Sequence, residues 1–171
     1  MDFLALLFRW LHILAAIAAL GGPMFMRLAL IPAAAELPPE QRQALNEGIR
    51  RRWSKVVMAA ILLLLVTGLY NFIWFVKLSH TWGPAWETGS DNATLYQALF
   101  GVKFLLALAV FFIASALVGR SAALARFREQ ARFWVTVNLL LGILVVCIAG
   151  QMRMMHAGPN RPPPAIATEK D

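Results

Sequence analysis

Acidic residues and cysteines are scarce in this chain of 171 residues, which has nine Asp and Glu and a single Cys. The one cysteine, Cys147, excludes an internal disulfide and any metal site built from CxxC pairs. Its place in an apolar run predicts a small core residue. The sequence also lacks a hydrolytic triad, a phosphate-binding glycine loop and paired carboxylates. Because no carboxylate falls inside an apolar run, general acid–base catalysis is not expected.

Charge of either sign is also rare, since 15% of the residues are charged and 60% are hydrophobic, with a mean hydropathy of +0.63. A soluble domain is about a quarter charged, so this composition indicates an integral membrane protein. The apolar residues form four runs long enough for helical spans, at about 3–31, 54–76, 95–119 and 133–155. Continuous runs of this kind exclude the alternating strands of a membrane barrel. Short connections between the runs predict an all-α fold, an integral membrane antiparallel four-helix bundle.

The basic residues indicate the orientation of the spans. Ten of them flank the connections after the first and third spans, and five lie on the opposite side, with Lys103 inside a span. The ten are Arg27, Arg42, Arg50, Arg51, Arg52, Lys55, Arg120, Arg126, Arg128 and Arg132. The positive-inside rule places these in the cytoplasm, which predicts a bacterial-type inner-membrane protein with both termini periplasmic. The net charge of +7 therefore reads as a topology signal, and nucleic acid is not an expected partner.

Two segments lie outside the spans and carry their own signals. Residues 38–52 begin with prolines followed by acidic and Gln residues, which predicts a short amphipathic segment on the cytoplasmic side. The four-span bundle then covers residues 1–157. Residues 158–171 include three consecutive prolines and few apolar residues, so they are predicted to be a disordered tail.

Polar side chains inside hydrocarbon are costly, and each is a candidate for function. His12 and Lys103 lie eight or nine residues into the first and third spans, which are entered from the same side of the membrane. They are therefore predicted at similar depth. Asn138 lies within the fourth span, and Arg9 lies near the start of the first. Thr67 and Asn71, by contrast, are better interpreted as interhelical hydrogen-bond donors and acceptors.

Metal ligation is the function most compatible with these residues. Small side chains around His12 leave room for a flat cofactor, although they can equally serve close helix packing. Two basic groups without a buried acid favour an anionic or metal-containing occupant. The end of the fourth span, Gln151 to His156, carries three methionines and a histidine, which are ligands that suit Cu(I). His156 is also a candidate second ligand, because it lies on the same side as His12.

The chain resembles a known family in short elements that share order and spacing. The elements are Trp10-Leu11-His12-Ile13 through Gly22 to Arg27-Leu28, Arg51-Arg52, Thr67-Gly68, Lys103, Arg132-Phe133-Trp134 and Asn138. They are similar to those of the bacterial four-helix protoporphyrinogen IX oxidases of the J type, which belong to a wider group with the membrane domain of copper resistance protein D. The chain departs from that family at Leu139 and Leu140, where the family has an acidic residue and then proline. It also has Ala59 and Ala60 where the family has a proline.

The resemblance implies a b-type haem inside the bundle and a homo-oligomer, most simply a homodimer. It implies His12 as an axial ligand of the haem iron, with Lys103, Asn138 and Arg9 as cofactor-binding candidates. The second ligand is left open between His156 and Lys103. The expected function is electron transfer or oxidoreduction on a porphyrinogen-like or quinone-like substrate. Copper binding or transport and a structural or assembly subunit remain the two alternatives.

Overall fold

The computed structural model describes residues 3–79, 91–119 and 121–157, and these residues are helical almost throughout. Helix α1 covers Phe3–Phe25 and continues through a π-helical segment, Met26–Leu30, into α2, Ile31–Ala35. Helix α3 covers Pro39–Ser79, and α4 covers Asp91–Val118. A 3₁₀ turn, Ala122–Leu124, and the short α5, Ala125–Glu129, lead into α6, Ala131–Ala157. No strand occurs in the described part of the chain, which confirms the all-α prediction.

Four of the helical stretches are long and apolar enough to cross a membrane, namely Leu6–Ala35, Pro39–Trp74, Ala93–Val118 and Ala131–Met155. Helix α1 packs mainly against α3, and α4 packs mainly against α6. Contacts of α3 with α4 and of α1 with α6 close the ring. The protein is therefore a multi-pass membrane protein, and the predicted antiparallel four-helix bundle is confirmed.

The interior of the bundle is made of small side chains, and its outer surface is made of large ones. The buried residues include Ala15, Ala60, Ala116 and Val135. Large apolar side chains face outwards instead, among them Leu14, Ile17, Leu62, Leu105, Phe112 and Leu140. Lipid is as apolar as leucine, so membrane helices gain little from hiding large side chains and associate through close packing at small ones.

Two of the sequence predictions meet a different arrangement. Residues 39–52 are not a separate helix, because they form the first turns of the continuous α3. Cys147 is exposed on α6, so its prediction as a core residue was wrong. A small apolar side chain in mid-span can face lipid as well as protein, and burial cannot be inferred from its depth. The predicted disordered tail, residues 158–171, lies outside the described residues.

Helix α1 is in close contact with α3 at Gly22. A Cβ atom added to Gly22 would collide with the indole ring of Trp53, whereas a Cβ on the neighbouring Gly21 would meet open space. The same kind of approach occurs at Gly142 on α6, where an added Cβ would meet the side chain of Leu20. These two glycines set the distances of α1 from α3 and from α6.

We expect Gly22→Ala to destabilise the bundle by about 1–3 kcal/mol, because the added methyl group forces Trp53 or the backbone of α1 to move. The measurement is thermal unfolding of the protein in detergent. Gly21→Ala is the matched control and should leave the unfolding midpoint unchanged or slightly raised. The double variant Gly22→Ala/Trp53→Leu should recover part of the loss. Equal effects of the two alanine substitutions would contradict the assignment.

Candidate functional site

The site is centred on His12, whose imidazole ring is half-buried between α1 and α3. His12 Nδ1 lies 2.8 Å from Thr67 Oγ1. The Thr67 hydroxyl also bonds to the backbone carbonyl of Leu63, one turn earlier on α3. Thr67 is only 1% exposed, so this chain of hydrogen bonds is shielded from solvent and lipid.

The proton of the Thr67 hydroxyl determines the tautomer of His12. A hydroxyl has one proton, and Thr67 donates it to the Leu63 carbonyl, which has no proton of its own. Thr67 Oγ1 must therefore accept the Nδ1–H of His12. In the neutral imidazole, Nε2 then carries the free lone pair. A histidine held through Nδ1–H with Nε2 free is the arrangement that prepares histidine to ligate a metal.

Gly68 provides the surface against which the ring rests. A Cβ atom at Gly68 would lie 3.2 Å from His12 Cε1 and 3.7 Å from Nδ1. The first of these distances is tight, so a larger residue would push the imidazole away from α3. The consecutive residues Thr67 and Gly68 thus define both the rotation and the position of the ring.

Lys103 is the charged residue that the sequence predicts at the depth of His12. It is half-buried on α4. A cation beside a neutral ligand favours an occupant that carries negative charge or gains electrons.

The other predicted site residues do not join His12 in the interior. Arg9 is one turn before His12 on α1, and its side chain is exposed. Asn138 is buried on α6, four residues before Gly142, which is opposite Leu20. At 1.5 Å per residue, this places Asn138 about 18 Å from His12 along the bundle. His156 belongs to the last turn of α6, and its side chain lies outside the described part of the structure.

The methionines at the end of α6 do not share one surface. Met152 is buried in an apolar cluster with Tyr96, and Met155 packs against that cluster. Met154, by contrast, is 68% exposed. Within the described residues, no three His, Cys, Asp or Glu side chains are placed to hold a metal ion together. Copper binding at this cluster therefore gains no support from the packing.

Comparison with protein families, curated proteins and solved structures finds no match. The resemblance drawn from the sequence motifs accordingly stays a prediction. Thr67 is the site residue that sequence reasoning assigned a lesser role, as interhelical glue. Thr67 lies 12 residues before the end of α3 and His12 lies nine residues after the start of α1, and this similar depth was the signal that could have paired them.

The hydrogen bond between His12 and Thr67 should show as an energetic coupling. We expect the single variants His12→Leu and Thr67→Val each to change the free energy of unfolding. The double variant should differ from their sum by about 1 kcal/mol, since each single change leaves a polar group unpaired in an apolar interior. The cycle is measured by thermal or denaturant unfolding in detergent. Pairing His12→Leu with Thr136→Val, a threonine that bonds Arg27 instead, is the control and should be additive.

Proposed function

We propose that this chain is a membrane haem b protein in which His12 is an axial ligand of the iron. The observation that carries the proposal is the hydrogen-bond chain from His12 Nδ1 through Thr67 to the Leu63 carbonyl. This chain leaves Nε2 as the donor atom and holds the ring in one orientation. In the low-dielectric interior of a bundle, such a histidine is prepared for a metal before any metal arrives.

The set of donors fits haem better than a bare metal ion. A porphyrin supplies four nitrogen ligands, so the protein has to supply only one or two. His12 is one, and Lys103 and His156 remain the candidates for the second. When bound, a haem at this position would supply one-electron chemistry, with a redox potential set by its surroundings.

The protein's own residues would hold and tune the group. His12 would bind the iron through Nε2, Thr67 would keep Nδ1 protonated, and Lys103 would place a positive charge nearby. The expected role is electron transfer or oxidoreduction. A porphyrinogen-like or quinone-like compound is the substrate class that follows from the sequence resemblance.

Orientation and assembly belong to the same proposal. The excess of basic residues between the first and second and between the third and fourth spans favours an inner-membrane protein with both termini periplasmic. His12 and Lys103 would then lie in the periplasmic half of the membrane. A homodimer is the assembly that the sequence resemblance implies.

The proposal predicts that the protein purified in detergent, after expression with sufficient haem supply, has a Soret band that shifts on reduction with dithionite. His12→Ala should lose the band and the iron, because it removes the ligand atom. Leu14→Ala, at an outward-facing position two residues away, is the matched control and should keep both. Metal analysis accompanies the spectra. A His12→Ala protein that retains full haem would overturn the ligand assignment, and a colourless wild-type protein would overturn the function.

A second prediction concerns Lys103. A positive charge near the iron stabilises the reduced state, which has one more electron, and so raises the redox potential. Lys103→Met should therefore lower the midpoint potential, on the order of tens of millivolts. The measurement is a spectroscopic redox titration in detergent. Lys55→Gln, at an exposed position on α3 twelve residues before Thr67, should leave the potential nearly unchanged; a larger effect of Lys55 than of Lys103 would contradict the electrostatic assignment.

A further inference from the structure

A large cavity lies at the opposite end of the bundle from His12. Its volume is about 770 Å³, and it is bounded by α1, the π-helical segment, α3, α4 and α6. Its deeper walls are apolar and built from small or medium side chains. These include Ala18, Ala19, Val57, Ala60, Phe111 and Ala114. A cavity of this size and lining accommodates an apolar organic body much larger than a simple ion.

The rim of the cavity is basic. Four arginines line it, and the acidic residues among its lining are two glutamates, Glu47 and Glu129. One of the glutamates is already engaged, since Glu47 accepts a hydrogen bond of 3.1 Å from Arg50. The remaining arginines on the rim are Arg42, Arg128 and Arg132. The surplus of positive charge favours an anionic group at this level.

Two polar atoms in this cavity's lining have no partner. Among residues 3–79, 91–119 and 121–157, the buried side-chain polar atoms without a hydrogen bond are Arg42 Nε and Asn138 Oδ1. Both belong to residues that line the cavity. Asn138 is only 2% exposed, so lipid and solvent do not satisfy its amide oxygen. A buried polar atom without a partner costs about 1–3 kcal/mol, so a partner from outside the protein, such as a water, an ion or a ligand atom, is favoured at each of these two positions.

The two atoms require opposite chemistry. Arg42 Nε is a donor of a charged group and requires an acceptor, whereas Asn138 Oδ1 is an acceptor and requires a donor. Arg42 is otherwise anchored by a hydrogen bond of 3.3 Å from its Nη2 to the Leu37 carbonyl, which leaves Nε available. On α6, Asn138 follows the rim residue Arg132 by six positions, or about 9 Å along the helix. A single elongated ligand can therefore extend from the arginines at the rim to the level of Asn138.

We propose that this cavity binds an acyl amphiphile that has an anionic head and carries a hydroxyl or N–H group within its apolar chain. The head pairs with Arg42 and the neighbouring rim arginines, and the donor in the chain pairs with Asn138 Oδ1. The bilayer around the bundle is the source of such molecules. The head can be a carboxylate, as in a hydroxylated fatty acid, or a phosphate, as in a lysophospholipid. The proposal does not rest on haem, because none of its residues belongs to the His12 site.

The test is equilibrium binding to the full chain in a non-ionic detergent, followed by native mass spectrometry. The probes are stearate, stearate with a mid-chain hydroxyl, the methyl ester of that hydroxystearate, and lysophosphatidic acid. Hydroxystearate should bind more tightly than stearate, which lacks the donor, and more tightly than the ester, which lacks the charge. The comparison with lysophosphatidic acid shows whether the rim favours carboxylate or phosphate.

Variants assign the two contacts separately. Arg42→Gln should weaken hydroxystearate binding about tenfold or more and leave the ester unaffected. Arg51→Gln, an exposed position on the same helix outside the cavity lining, is the matched control and should bind as the wild type does. Asn138→Leu should keep stearate binding and abolish the preference for hydroxystearate. Asn138→Ala provides the same comparison if the leucine variant does not fold.

Three results would overturn the proposal. The first is equal affinity of the wild type for hydroxystearate and its ester, which would show that the anionic head does not contribute to binding. The second is equal weakening of hydroxystearate binding by Arg42→Gln and Arg51→Gln, which would show that the effect comes from the overall surface charge and not from a contact with Arg42. The third is a preference for hydroxystearate that survives both Asn138 variants. Binding of lysophosphatidic acid in addition to hydroxystearate, with weakening by Arg42→Gln, supports the contact with the anionic head and extends it to phosphate.

Discussion

The hydrogen bond between His12 Nδ1 and Thr67 Oγ1 organises the half of the bundle that contains the start of α1. Inside the hydrocarbon layer no water is available to form hydrogen bonds with a polar side chain, so its partners must come from the protein. Thr67 provides one by using its own proton on the α3 backbone and its lone pairs on the histidine. Helices α1 and α3 are thereby fixed to each other in rotation as well as in distance. The chemistry of His12 follows from this constraint, since only Nε2 remains free.

Close approach of the helices is the second condition for that bond. A hydroxyl and an imidazole reach each other because glycines allow close contact between α1 and α3, with Gly68 beside the His12 ring and Gly22 against Trp53. Large apolar side chains are placed on the outer surface instead, where lipid accepts them. The same close helix contacts therefore serve both the packing of the helices and the polar site inside the bundle.

Sequence reasoning was strongest where the membrane imposes a single rule. The four spans follow from continuous apolar runs. It failed for Cys147, because depth in a span does not reveal whether a side chain faces lipid or protein. Predicting Thr67 as the partner of His12 would have required knowledge of which faces of α1 and α3 are in contact. The cavity could not be predicted, because it is bounded by the π-helical segment and by the unbroken α3, and the apolar pattern of the sequence indicates neither.

The continuity of α3 has a mechanical consequence. Its 41 residues form a rod about 60 Å long, roughly twice the thickness of the hydrocarbon layer. Arg42 and Thr67 lie on this one rod, so a displacement along its axis at the arginine end is carried to the threonine that holds His12. Helix α1 lacks this stiffness, because Pro23 and the π-helical segment interrupt its regular hydrogen bonding where it borders the cavity. A displacement along the axis of α3 would thus be carried over its whole length, whereas α1 is able to bend.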